Sequence, residues 1–313
     1  NGADSTLSGV VLDLDGSLSL EADGSAGGLN GSGSLELNGQ TLQIQAASGQ
    51  THTYEGTLGE GTLDVSGAGT QVLRSSGADT GLTISGGNLV LQGKADVDGA
   101  RLSYGNLVNS GNLTIQASDN SLTAVNTTLS VENVSFSSGS STTFTLNTDA
   151  DMTASFIEAS GDVVIEDGAS FHVTSIPDVN ITWKSGNPME LTLMELTGDG
   201  TIDLGENTLT VGGLFLTYYK NAHLVQEGDK VVLKAEEQTD NVYAGVADTA
   251  NSMAGANLLW DAARHGSIDQ AVTDFLGALN NDMLNNPSAA RRSLAAAAGS
   301  TVNALGTAQR DAL

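Results

Sequence analysis

Over the first 235 residues apolar side chains recur at every second position, in runs of only four or five. Gly16-Ser-Leu-Ser-Leu20, Gly33-Ser-Leu-Glu-Leu-Asn-Gly39, Thr41-Leu-Gln-Ile-Gln45 and Gly61-Thr-Leu-Asp-Val-Ser-Gly67 set the pattern. It continues in Gly87-Asn-Leu-Val-Leu-Gln-Gly93, Gly111-Asn-Leu-Thr-Ile-Gln116, Thr142-Thr-Phe-Thr-Leu146, Asp162-Val-Val-Ile165 and Asn207-Thr-Leu-Thr-Val211. A period of two sends one set of side chains inward and the other outward, which predicts short strands. Gly, Asn, Asp and Ser between the runs supply tight corners.

One apolar anchor can be followed through Leu42, Leu63, Leu82, Leu102, Leu122, Phe144, Val163, Ile181 and Ile202. The steps are 21, 19, 20, 20, 22, 19, 18 and 21 residues. About 20 residues per turn, with two or three strands in each, predicts a parallel β-helix whose coils bury their faces only against neighbouring coils. A β-sandwich rarely needs so many strands of this length. Narrow coils have room for Leu, Val and Ile but for few large rings, in keeping with an aromatic content of 4%. Pro177 and Pro188 bracket a stretch with Trp183 that reads as a local break or lateral loop.

The texture changes toward the C-terminus. Leu214-Phe-Leu-Thr-Tyr-Tyr219 gathers aromatics, and His223 to Leu233 reads as a hairpin turning near Glu227-Gly-Asp229, so residues 214–235 are expected to cap the coils. From Val246 onward the period becomes helical, with Ala247, Ala250, Ala254, Leu258 and Ala262 on one stripe. Ser267 with Gln270 fits a capping box, followed by an apolar face of Ile268, Ala271, Val272, Phe275 and Leu279. Pro287 or Ser288 starts a further helix carrying Leu294, Ala298 and Val302. The expected division is 1–240 for the β-helix and 241–313 for a helical junction.

Charge follows that division. The chain of 313 residues has eleven bases, thirty-seven acids and a net charge of -26. Residues 241–313 hold six of the acids and four of the bases, so the first 240 residues carry a net -24. Such acidity excludes a nucleic-acid binder, which must neutralise phosphates. Cysteine is absent, which excludes disulfides and thiol chemistry. No apolar run approaches the roughly 20 residues of a spanning helix. The start at Asn1, without Met, suggests a processed fragment.

Catalytic and metal motifs are thin. Asp79-Thr-Gly81 matches the triplet of aspartic proteases, but proton sharing needs two such carboxylates and the chain has one copy. Asp96/Asp98 and Asp149/Asp151 are carboxylate pairs that would suit glycoside hydrolysis if correctly spaced. Arg74 and Arg101 do not cluster as acidic-sugar chemistry would want. His52, His172, His223 and His265 are widely separated. Asp13-Leu-Asp15-Gly16 matches part of a calcium loop, but Leu18 occupies the position that requires Gly. No catalytic, cofactor-binding or metal residue is assigned, and no cofactor is expected beyond adventitious calcium on the acidic surface.

Gly59-Glu-Gly-Thr-Leu-Asp-Val-Ser-Gly-Ala-Gly-Thr-Gln-Val-Leu73 and Ser85-Gly-Gly-Asn-Leu-Val-Leu91 resemble the Gly-rich strand repeats of autotransporter passenger domains. Asn257-Leu-Leu-Trp260, Gly299-Ser-Thr-Val-Asn-Ala-Leu-Gly306 and Ala308-Gln-Arg310 resemble the helical stretch before a C-terminal translocator barrel. The resemblance implies a right-handed parallel β-helix, exported through the outer membrane of a Gram-negative-type bacterium to the cell surface or beyond. It also implies a translocator barrel in the full-length precursor. The expected function is an adhesin, stalk or self-associating scaffold whose partner is a host or matrix glycan or protein, or a second copy. The alternative is a glycan-processing β-helix enzyme using paired carboxylates.

Overall fold

The computed structural model describes residues 5–93, 101–116, 127–146, 155–175, 189–265 and 270–298. Strands β1 (Ser5–Leu14), β2 (Ser17–Ser19), β3 (Gly24–Gly31) and β4 (Ser34–Glu36) begin a parallel β-solenoid. Its coils continue as β5 (Thr41–Ile44), β6 (Thr51–Tyr54) and β7 (Thr57–Leu58), then β8 (Gly61–Val65) and β9 (Thr70–Leu73). Next come β10 (Thr80–Ile84), β11 (Asn88–Gln92) and β12 (Arg101–Ser103), then β13 (Leu107–Asn109), β14 (Asn112–Gln116) and β15 (Thr128–Val131). The last coils hold β16 (Val134–Phe136), β17 (Ser141–Leu146) and β18 (Ile157–Ala159), β19 (Val163–Ile165), β20 (Ser170–Ser175) and β21 (Met189–Leu196), and β22 (Ile202–Leu204) with β23 (Thr208–Val211).

These strands stack into three ladders. The first runs β5-β8-β10-β13-β16-β19-β22 and the second β6-β9-β11-β14-β17-β20-β23, the two being joined through the long β3. The third comprises β2-β4-β7 and, further along, β12-β15-β18-β21. The alternation of sequence becomes alternation of burial: Leu42, Ile44, Leu63, Val65, Leu82 and Ile84 are at most 2% exposed, with polar neighbours between them. Each such side chain contributes about 1.5–3 kcal/mol by leaving water.

The anchor series holds for three coils and then departs. In register, Leu42 stacks on Leu63 and Leu63 on Leu82. Leu82 then pairs with Leu107, Leu107 with Val134, Val134 with Val163 and Val163 with Ile202. The steps are therefore 21, 19, 25, 27, 29 and 39 residues, so the expected 20 per coil describes only the first coils. Leu102 belongs to the third ladder and Phe144 to the second, while Leu122 and Ile181 lie outside the described residues. Most of the added length enters at one corner, between the second and third ladders, and in the last coil also through the longer β21 and the connection that follows it. Two residues separate β6 from β7, whereas 8, 11, 10 and 13 separate β11 from β12, β14 from β15, β17 from β18 and β20 from β21. Residues at a corner need not match the coil above, so insertions there leave the ladders in register.

Large rings also enter the coils, contrary to the expectation from coil width. Phe144 meets Phe156 edge-on at 5.2 Å and stacks on Phe171 at 6.3 Å, and Phe136 meets Phe171 edge-on at 5.2 Å. All four are at most 1% exposed. The sparse aromatics are concentrated inside because each fills the most volume there.

Polar side chains complete the interior where ladders part. Pairing between β3 and β6 is limited to Gly31 opposite Tyr54. Fully buried Gln71 reaches back two coils, its amide N donating to the Leu29 carbonyl at 2.8 Å and its carbonyl accepting from the Leu29 N–H at 3.0 Å. Asn109 Nδ2 donates to the Ser141 carbonyl and to Thr142 Oγ1, and Asn109 Oδ1 accepts from the Gly111 N–H. A buried amide so satisfied is stable, while its removal strands backbone groups.

Corner glycines answer to crowding. Ser34 N–H donates to the Gly16 carbonyl at 2.8 Å and Thr57 N–H to the Gly33 carbonyl at 3.0 Å. A Cβ on Gly33 would lie 2.0 Å from the Gly16 oxygen, and one on Gly56 would lie 2.0 Å from the Gly33 oxygen. Gly16, the first of this column, has nothing within 4 Å of such a Cβ.

Two compact units divide the chain. The first comprises residues 1–173, 190–210 and 223–234, and the second 174–189, 211–222 and 235–313. The second contains the single turn α1 (Phe215–Tyr218), where the aromatic run gives a helical turn rather than more strand. It also holds the end segments of the hairpin β24 (Tyr219–Glu227) and β25 (Lys230–Glu237), whose turn lies at Gly228 (φ 59°) as expected. Helices α2 (Ala250–His265) and α3 (Gln270–Asn285) follow, and residues 287–298 are helical behind an Asn286 cap, with Pro287 in the first turn.

Leu279, Leu294 and Ala298 are buried as expected, but the faces of α2 and α3 otherwise differ from those read along the chain. On α2, Ala250, Ala254 and Leu258 face solvent, while Ser252, Ala256 and Ala263 are buried. On α3, Ala271 is exposed, and Thr273, Leu276, Leu279 and Asn280 are buried. Polar side chains decide this choice. Asn280 Nδ2 donates to the Gly213 carbonyl and to Thr217 Oγ1, which in turn bonds the hydroxyl of buried Tyr243 at 2.8 Å. Ile268 and Val302 lie outside the described residues.

Two stability outcomes follow from the coil interior and its corners. Gln71→Leu should lower unfolding free energy in urea by about 2–4 kcal/mol, because two buried backbone groups of Leu29 lose their partner. Gly33→Ala should cost about 1–3 kcal/mol through overpacking. Gly16→Ala should leave the melting temperature nearly unchanged, and equal effects of the two glycine variants would disprove the stacking account.

Candidate functional site

Two surfaces of the solenoid unit are organised beyond what folding requires. One is a polar groove of about 640 Å³ along the corner that leads into the first ladder. Glu60, Asp79 and Glu132 line it with Asn106, and Gly39, Gly61, Gly81 and Gly105 leave it open. Each carboxylate comes from a different coil, just ahead of β8, β10 and β16. All three are exposed. Ala78 is the one apolar side chain in the lining, so the carboxylates stand in a polar, open setting. Its lining also holds no aromatic ring and no basic side chain.

Next to the groove, the corner carries a side-chain ladder. Asn133 Nδ2 donates to Asn106 Oδ1 at 2.7 Å, and Asn133 Oδ1 accepts from the Asp162 N–H at 2.7 Å. The Thr201 N–H and hydroxyl both donate to Asp162 Oδ1, and these bonds hold the carboxyl below its ordinary pKa. Every member is engaged in joining coils.

The other surface is the outward side of the second ladder. One row runs Thr51, Thr70, Asn88, Asn112 and Ser141. A second runs Thr53, Val72, Val90, Thr114 and Thr143. Strands β20 and β23 add Ser170 with His172 and Thr208 with Thr210. None of these positions is acidic, although the chain carries -26. The outward side of the first ladder includes Asp64 and Asp203, and that of the third includes Glu36, Glu158 and Glu195. Alternation alone identifies these outward positions, so the neutral rows can be found in sequence once the true register is known.

The residues singled out by sequence do not converge. Asp79 is an exposed corner residue, and Thr80 is buried with its hydroxyl donating to the Gly59 carbonyl at 2.7 Å, so this triplet joins coils. Asp13 Oδ1 accepts from Asn30 Nδ2 at 2.9 Å in the next coil. Arg74 pairs with Glu55 at 2.8 Å, and Arg101 pairs with Glu158 on the third ladder. His52 is buried inside the coils, whereas His172 faces outward and its Nδ1 lies 2.8 Å from Thr210 Oγ1. Asp96, Asp98, Asp149, Asp151 and Trp183 lie outside the described residues. Among the described residues no group of three potential ligands is arranged to hold a metal, and no helix is long and apolar enough to cross a membrane.

Burial lowers the pKa of His172 below the ordinary histidine value. The unfolded chain therefore binds this proton more readily, and folding stability declines as pH falls below about 6.5 toward the depressed value. His172→Asn should flatten that part of the difference in stability against pH measured by urea unfolding, and an unchanged slope would contradict the assignment. No family model matches the chain, and no curated protein or solved structure is similar to it.

Proposed function

We propose that this chain is a non-catalytic interaction scaffold, an exported β-solenoid of the autotransporter passenger kind that acts at the cell surface or beyond as adhesin, stalk or self-associating unit. The observation that carries this reading is the neutral outward side of the second ladder. Its hydroxyl and amide groups repeat from coil to coil and have no carboxylate among them. Single hydrogen bonds to such groups are weak, but many acting together on one rigid sheet give avidity. The parallel coils and the helical residues 287–298 ahead of the Gly299–Gly306 stretch are consistent with the passenger and junction of that family. In the precursor, a C-terminal translocator barrel would carry the chain across the outer membrane. The partners proposed for this surface are a host or matrix glycan or protein, or a second copy of the chain.

A glycan-processing enzyme is the second reading, and the groove with Glu60, Asp79 and Glu132 is the observation in its favour. The absence of a ring to stack a sugar, and of a buried acid, weighs against it. The two readings separate on incubation with neutral and acidic polysaccharides, followed by reducing ends and by ultraviolet absorbance of unsaturated products. No turnover is expected. Turnover that disappears in Glu60→Gln or Glu132→Gln would replace the scaffold with an enzyme.

A further inference from the structure

The geometry points to a second copy of this chain as the occupant of the second ladder's outward side, the two sheets packing face to face. This rests on the scaffold reading above and names its partner. Charge is the first argument. A molecule of net -26 repels its copies, and approach through the first or third ladder would set Asp64, Asp203 or Glu36 against their counterparts. Like charges placed opposite each other across an interface cost several kcal/mol. Among the described residues the second ladder is the one with two neutral outward rows, in register from β6 to β17 and continued by polar residues on β20 and β23, with Glu55 and Arg74 paired to each other at its edge.

Chemistry and spacing make this side self-complementary. Thr and Ser hydroxyls and Asn amides each donate and accept, so the rows can bond to copies of themselves without a charged partner. Val72 and Val90 provide an apolar strip in the middle of one row. Two such sheets share the same strand spacing of about 4.8 Å, so a match at one coil is a match at each. Carbohydrate would find no aromatic ring among the outward rows.

Area sets the strength. Seven strands at about 4.8 Å, each showing about four residues at about 3.3 Å, give a footprint on the order of 400 Å² per copy. Twice that is below the roughly 1,200 Å² of stable complexes, so a single pairing is weak and reversible. A two-fold arrangement places the same rows on both copies.

Ionic strength then acts in an uncommon direction. The Debye length falls from about 30 Å at 0.01 M salt to about 8 Å at 0.15 M, screening repulsion between the acidic sides while leaving the neutral contact intact. Sedimentation velocity on the full chain should show monomer at the lower salt and concentration-dependent association at the higher. Thr114→Glu should weaken that association about tenfold or more by placing a carboxylate in the contact. Thr208→Glu, at an exposed position of the same side, repeats the test where Thr114→Glu disturbs folding. Val108→Glu, on the first ladder, should have little effect.

Monomer at both salts, association that falls with salt, or equal loss with Val108→Glu would each overturn the second-copy assignment. So would a permanently monomeric chain that binds neutral glycans and loses that binding in Thr114→Glu. That last result would preserve the scaffold reading, which fails instead on the polysaccharide turnover described above.

Discussion

Parallel stacking of one coil on the next governs everything else in the solenoid unit. Backbone N–H and C=O groups must meet at every strand, so neighbouring coils are held at the strand spacing wherever their ladders pair. At the corners this spacing leaves no volume for a side chain that points toward the next coil. Gly33 and Gly56 are required there because a Cβ would enter the carbonyl oxygen of the preceding coil. Glycine here answers to close approach more than to unusual dihedral angles. Along the strands the same spacing stacks like on like, giving continuous columns of Leu, Ile and Val.

The columns are not uniformly apolar, and their exceptions lie where the ladders diverge. Gln71 substitutes for strand pairing that β3 and β6 do not make, and Asn109 bridges the corner between the first and second ladders. Outside, Asn106, Asn133, Asp162 and Thr201 form an equivalent chain of bonds at another corner. These side chains tie particular coils together, whereas the aliphatic columns would tolerate many neighbours. Register is thereby specified by a few polar residues, and burial supplies the larger part of the favourable free energy.

Stacking also sorts charge. Alternation sends every second residue outward, and the ladder then lines up the outward residues of successive coils. A stretch that looks merely acidic in sequence separates into sides whose rows carry Asp and Glu and one side whose two central rows do not, with Glu55 at its edge paired to Arg74. The groove at the corner and the neutral sheet both arise from this sorting, but they differ in chemical equipment. The groove has carboxylates without a buried acid or a ring, and the sheet has hydroxyls and amides repeated without opposing charge. The second arrangement fits an interaction surface.

The strands, the solenoid, the hairpin turn at Gly228 and the helical C-terminal segment were legible in the sequence, because each depends on local periodicity or turn chemistry. Coil length was legible only as far as Leu82, since residues added at one corner break the linear count without disturbing the ladder. Helical faces were misread where Thr273 and Asn280, polar in sequence, are buried by bonds to distant residues. The neutral side could not be seen at all along the chain, because Thr53 and Val72 become neighbours of Thr114 and Thr143 only through register. Sequence by itself thus determined the repeating local element and its inward and outward sets, which follow from alternation. Tertiary structure decided which outward residues share a side, because that depends on hydrogen bonding between segments 17 to 39 residues apart.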